Sequence, residues 1–194
     1  MIRTKVRKRG VGSAFLAAAL LSGAAPALLP AAEADAAPLG RVCLFQDKER
    51  AGGAGHVAWA IRDPKNAKHW IWGSTEGPSN GTYVPAGSSN GSWIKGGTWT
   101  QLRGSISTGR YDNYRCINTA GGNLKAAQQM YGRMKTNGYA VLTNNCLTKS
   151  LAIFRSYSPA LTSAYLPDGK SKAPNYYFTT SLNNSRGWEK ARTY

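Results

Sequence analysis

The stretch HVAWAIRDPKNAKHWIWGS, residues 56–74, decides the fold. Val57, Trp59 and Ile61 alternate with His56, Ala58 and Ala60, the period of two that marks a strand. DPKN (63–66) puts Pro64 at the second position of a tight turn. KHWIWGS (68–74) then reads as the returning strand, so the stretch predicts an antiparallel hairpin. Each of its strands carries one of the chain's two histidines, His56 and His69. A turn at Asp63–Asn66 would pair His69 with about Ala60 and set Gly73 opposite His56. In a flat ladder that leaves the two histidines more than ~10 Å apart. Strong twist or a bulge would have to bring them together, and Thr75 or Glu76 is the substitute partner for His56.

Outward from the hairpin, RVCLFQ (41–46) reads as a strand and AGGAG (51–55) as a flexible lead into His56. Residues 73–92 are rich in Gly, Ser, Asn and Pro, which predicts a long loop holding one short strand. Residues 92–107 and 111–118 suggest further strands. Asn123 can cap a helix in which Leu124, Ala127, Met130, Tyr131 and Met134 recur at helical spacing. A short strand at 139–142 then precedes a second helix from Asn145, with Leu147, Leu151 and Phe154 on one stripe. Residues 158–182 carry no assignable pattern. The expected class is α+β, an antiparallel sheet packed against helices.

The 194-residue chain opens with MIRTKVRKR, follows with an apolar run at 14–30, and reaches Ala34-Asp35-Ala36, a small-x-small cleavage pattern. These are the three parts of a secretory signal peptide over residues 1–36, leaving one domain at 37–194. Pro26 and Pro30 interrupt the apolar run, which falls short of the ~20 residues a membrane span needs. A secreted protein without a stable membrane anchor is therefore expected. The formal charge is +16, and +13 without residues 1–36, which hold five of the 25 basic and two of the nine acidic side chains. That balance favours anionic partners such as cell-wall polymers. No nucleic-acid-binding motif is visible and the basic residues form no helical stripe, so nucleic acid is disfavoured as a partner. A monomer is expected.

Three cysteines in an oxidising compartment leave one over. Cys43 and Cys116 sit in strand-like text and Cys146 begins a helix, so a Cys43–Cys116 bridge with Cys146 free is expected. Pairings through Cys146 are the competing arrangements. A cysteine at a helix start meets unsatisfied N–H groups and the positive end of the helix dipole, and both favour the nucleophilic thiolate. Asn144 or Asn145 can cap the same end and fix the sulfur in place. Trp59, Trp70 and Trp72 read as core, whereas Trp93, Trp99, Tyr83 and Tyr111 lie in loop-like text.

His56 opening an apolar strand, His69 thirteen residues on, and Asn145-Cys146 seventy-seven residues further form an ordered set. The set resembles the circularly permuted branch of the NlpC-type papain-like superfamily, whose relatives include the lecithin:retinol acyltransferase-like proteins. The resemblance covers roughly residues 40–157. It implies a permuted papain-like fold with Cys146 as nucleophile, His56 as general base and His69 as the residue orienting His56. It also implies that Asn145, with the start of the Cys146 helix, helps to hold an oxyanion. No metal or other cofactor is implied. Leu147-Thr148-Lys149 stands where the acyltransferase-like members carry a glutamate and a histidine, which argues against that lipid-modifying subgroup. The resulting expectation is a cysteine hydrolase of amide or peptide bonds in peptidoglycan or a protein. The alternatives are a non-catalytic binding or inhibitory protein on the same scaffold, and a basic toxin-like or nucleic-acid-binding module.

Overall fold

The hairpin forms as β2 (His56–Asp63) and β3 (Asn66–Thr75). The computed structural model describes residues 39–79, 81–107 and 110–193, which belong to one unit spanning Ala36–Tyr194. The signal peptide expected at 1–36 lies outside the described residues. Before the hairpin comes β1 (Gly40–Asp47), and after it β4 (Tyr83–Val84) and β5 (Ser92–Gly97). Then follow α1 (Trp99–Ser107), β6 (Asn113–Thr119), α2 (Leu124–Met134), β7 (Tyr139–Ala140) and α3 (Cys146–Tyr157). A single turn, α4 (Pro174–Tyr176), and the terminal β8 (Arg192–Thr193) complete the chain. The class is α+β.

Six strands pair antiparallel in the order β5-β3-β2-β1-β6-β8. Both faces are covered. Val57, Trp59 and Ile61 of β2 join Leu147, Leu151 and Phe154 of α3 in one core, while Ala58 and Ala60 join Leu102 and Ile106 of α1 in another. The alternation along β2 therefore sorts side chains between two cores rather than between core and solvent. Trp59, Trp70 and Trp72 are all buried. Each large apolar side chain removed from water contributes about 1.5–3 kcal/mol.

Cys43 and Cys116 face one another across β1 and β6 and form a disulfide at a sequence separation of 73. In the chain-entropy account, closing a loop of that size stabilises the fold by about 4 kcal/mol. Cys146 is free.

Three departures from the sequence reading have physical causes. Residues 99–107 form a helix rather than a strand. Thr98 Oγ1 accepts from Gln101 N (3.3 Å) and Gln101 Oε1 accepts from Thr98 N (2.8 Å), a reciprocal cap that satisfies the helix start. Residues 139–142 hold only two strand residues, because Thr143 N and Asn144 N both turn back to Ala140 O. The unassigned C-terminal stretch supplies buried Tyr177 and Phe178 to the core beside α3. Among the described residues, no helix is long and apolar enough to cross a membrane.

Candidate active site

Cys146 is the first residue of α3 because the residue before it caps the helix twice. Asn145 Oδ1 accepts from Leu147 N (3.0 Å) and Thr148 N (3.1 Å), and Thr148 Oγ1 returns the bond by accepting from Asn145 N (2.9 Å). Asn145 Nδ2 donates to Val141 O at 2.6 Å, which ties the cap to the turn preceding it. Both polar atoms of the Asn145 amide are thus engaged in holding the helix start. The backbone N–H of Cys146 does not take part in that cap.

His56 is the first residue of β2 and is only 3 % exposed. Its Nε2 lies 2.9 Å from Ser74 Oγ, and that hydroxyl donates its own hydrogen to Val57 O at 3.0 Å. Ser74 therefore accepts from Nε2–H, which fixes the tautomer. Nδ1 is the nitrogen that Ser74 and Glu76 do not engage, and Cys146 lines the same cavity as His56. Glu76 Oε2 stands 3.4 Å from Nε2 as well. Burial would lower the pKa of His56, but the charge and hydrogen bond of Cys146, joined by those of Glu76, outweigh it and raise the pKa to about 9.

Burial likewise works against the charge on Glu76, and again its partners prevail. His56 and Trp93 hydrogen-bond it, Arg110 adds positive charge, and the carboxyl is held down at about 2. Trp93 Nε1 donates to Oε1 at 2.8 Å, while Arg110 and Arg50 (3.3 Å) both reach Oε2.

Glu76 reaches His56 through a change of register. Near the turn Asp63 pairs with Asn66, but from Arg62 onward the ladder runs Arg62–Trp70, Trp59–Gly73 and Ala58–Ser74. Residues 67–69 bulge out of the ladder, so β3 slides three residues past the register that the turn alone would set. Continued to the end of β2, the ladder sets Glu76 across from His56 where Gly73 would otherwise stand. His69 lies in the bulge. Its side chain is 40 % exposed, its Nδ1 is 3.8 Å from Asp63 Oδ2, and it does not line the cavity that holds His56.

That cavity has a volume of about 720 Å³, and Cys146, His56 and Glu76 all line it. Its rim is a ring of loop segments stitched by backbone hydrogen bonds: Asn175 N to Ala54 O, Ser171 N to Leu142 O, and Val141 N to Thr82 O. Tyr139 lies flat against Gly77, whose φ is +73° and where a Cβ would come within 2.8 Å of the tyrosine ring. Asn175 anchors a second part of the rim, its Nδ2 donating to Lys48 O (2.8 Å) and Gly53 O (2.7 Å).

Of the residues singled out in the sequence, Cys146, His56 and Asn145 meet here, and His69 does not. Glu76 takes the place beside His56. Ser74 was missed, because a lone serine in a strand carries no signal until the register is known. Tyr111, read as loop text, is buried with its ring centroid 6.0 Å from that of His56. Among the described residues, no group of three or more His, Cys, Asp or Glu side chains is placed to hold a metal ion. Comparison with family models, with curated proteins and with solved structures finds no match for this chain.

Proposed function

We propose that the protein is a secreted cysteine hydrolase of the permuted papain-like type, cleaving amide or peptide bonds in peptidoglycan or a protein. The observation that carries this reading is that Cys146 and His56, ninety residues apart, line one cavity, where Cys146 raises the pKa of His56. A free cysteine at a doubly capped helix start, beside a histidine held in the charged form, is an activated nucleophile with its acid in place.

In this reading the Cys146 thiolate attacks the carbonyl carbon and a C–S bond forms. The oxyanion rests at the start of α3, where the Cys146 N–H is the donor that the cap does not use. His56 gives its proton to the leaving nitrogen, the C–N bond breaks, and a thioester remains on Cys146. His56, now neutral, takes a proton from water, whose oxygen attacks the thioester and releases the acid. Ser74 and Glu76 hold the imidazole in one orientation and stabilise its charge throughout. Because Nε2 is held by these two residues, the proton that moves is the one on Nδ1.

The test uses the mature protein purified without reductant. Mass spectrometry after iodoacetamide treatment should find Cys43 linked to Cys116 and Cys146 alone alkylated. Incubation with purified peptidoglycan and with an unfolded protein mixture should release new amino groups, and Cys146→Ala should release none. Undiminished release by Cys146→Ala, or Cys146 recovered in a disulfide, would overturn the reading.

A further inference from the structure

We infer that the cavity selects a substrate carrying a carboxylate close to the scissile bond, received by Arg50 and Lys172; this rests on the hydrolase reading and adds the charge of the substrate. Among the described residues, Glu76 is the only acidic side chain lining the cavity. Its two oxygens already meet His56, Trp93, Arg110 and Arg50. Arg110 pairs with Glu76 from outside the cavity lining, so the carboxylate has a cation of its own before Arg50 is counted.

Arg50 is therefore the surplus charge. It lines the cavity, its side chain is 40 % exposed, and its contact with Glu76 is, at 3.3 Å, the longer of the two arginine contacts. Lys172 lines the cavity too and meets no carboxylate among the described residues. Its Nζ lies 3.4 Å from Ser181 Oγ and 5.9 Å from the centroid of the Tyr176 ring. The segments bearing the two cations are joined through Asn175, which follows Lys172 by three residues and bonds Ala54 O and Gly53 O.

Cys146 and His56 share one proton and so carry no net charge between them, and Glu76 and Arg110 cancel as a salt bridge. Among the described residues, what is left facing the cavity is two positive charges and no negative one. A neutral substrate would leave both to water, whereas a carboxylate beside the attacked carbonyl would be held by them.

Iodoacetate and iodoacetamide read this directly. In each the Cys146 sulfur displaces iodide from the CH₂ carbon, and the reagents differ in carrying a carboxylate or an amide. The quantity to measure is the ratio of the two alkylation rates at Cys146, set against the same ratio for N-acetylcysteinamide at low salt. Two unit charges ~6 Å from the reagent carboxylate, under water-like screening, favour the anion about threefold each, so the ratio should exceed the reference about tenfold. Lys172→Gln should cut it about threefold, and salt near ~1 M should remove most of the excess in the unaltered protein. Lys125→Gln, in a separate cavity by the start of α2, should leave it unchanged. A ratio at the reference value, with Cys146 still reacting with iodoacetamide, would overturn the carboxylate site and keep the hydrolase. An equal fall in Lys125→Gln would also overturn it, reducing the effect to net charge. Failure of folded Cys146 to react with either reagent would instead overturn the hydrolase reading itself.

Discussion

The two ends of the β2–β3 hairpin each carry a histidine, and the two sit in opposite surroundings. At the open end His56 is 3 % exposed, bonded through Nε2 to Ser74, and raised to about 9 by Cys146 and Glu76 against the effect of burial. At the turn end His69 is 40 % exposed with one loose contact, 3.8 Å from Asp63. Both are followed by an apolar run, each on one of two paired strands. What separates them is the three-residue bulge, which carries His69 out of the ladder and delivers Glu76 to His56, together with the capped start of α3 at the open end alone.

The largest effect that tests this contrast is on turnover. His56→Ala should lower hydrolysis by about 10²–10⁴-fold, the range for losing a positioned acid–base group. His69→Ala should stay within about twofold of the unaltered protein. Comparable losses in the two variants, measured on the same released amino groups, would erase the distinction between the ends.

The titration of His56 comes next in size. With only two histidines in the chain, their ring C–H signals can be followed separately by NMR. His56 should titrate near 9, and Cys146→Ala and Glu76→Gln should each move it downward. Because the folded pKa is raised from 6.5, the stabilisation it reports is complete below about 6.5 and is lost as pH rises through about 9. Glu76 runs the other way: its pKa is lowered from 4.5, so its contribution is present above about 4.5 and lost as pH falls through about 2. Denaturation curves should therefore show stability declining between pH 6.5 and 9, and the decline should flatten in His56→Gln.

Ser74→Ala should act less strongly. It removes the acceptor for Nε2–H and leaves Val57 O without its side-chain donor, while Glu76 remains. The loss of one such hydrogen bond corresponds to about three- to tenfold in rate. A purely structural role for Ser74 predicts a lower melting temperature with the pH profile of hydrolysis unchanged. A positioning role predicts that the alkaline limb of that profile shifts.

The contrast also explains what could be read from the sequence. The hairpin, β1, β6, α2 and α3 were legible because their apolar residues repeat at the period of their element, and Asn123 and Asn145 announce their helices by capping chemistry. Cys146 and His56 were legible because each begins such an element. The bulge was not, since the adjacent polar pair Lys68-His69 interrupts the alternation without showing that three residues leave the ladder. With the register hidden, Ser74 could not be placed at all and Glu76 could be named only as a substitute. The α1 helix was a different failure. Thr98 and Gln101 spell a capping box and Leu102 and Ile106 a helical repeat, but residues 92–107 read as strand text without a boundary at Thr98.

At the turn end the smallest effect is expected, and it should concern stability alone. Asp63 Oδ1 accepts from Lys65 N at 2.9 Å, closing the turn, while Oδ2 makes the long contact with His69. Asp63→Ala should cost about 1 kcal/mol, the usual worth of one such hydrogen bond. Almost none of it should come from the His69 pair, because exposed ion pairs are screened by water and salt. The double variant Asp63→Ala/His69→Ala should therefore match Asp63→Ala to within about 0.3 kcal/mol in denaturant unfolding. In Asp63→Ala the titration of His56 should stay where it was, since the bulge and the ladder from Arg62 onward stand between the two ends. A shift in that titration would show that the turn transmits its register to the open end, and the two histidines would then belong to one coupled unit.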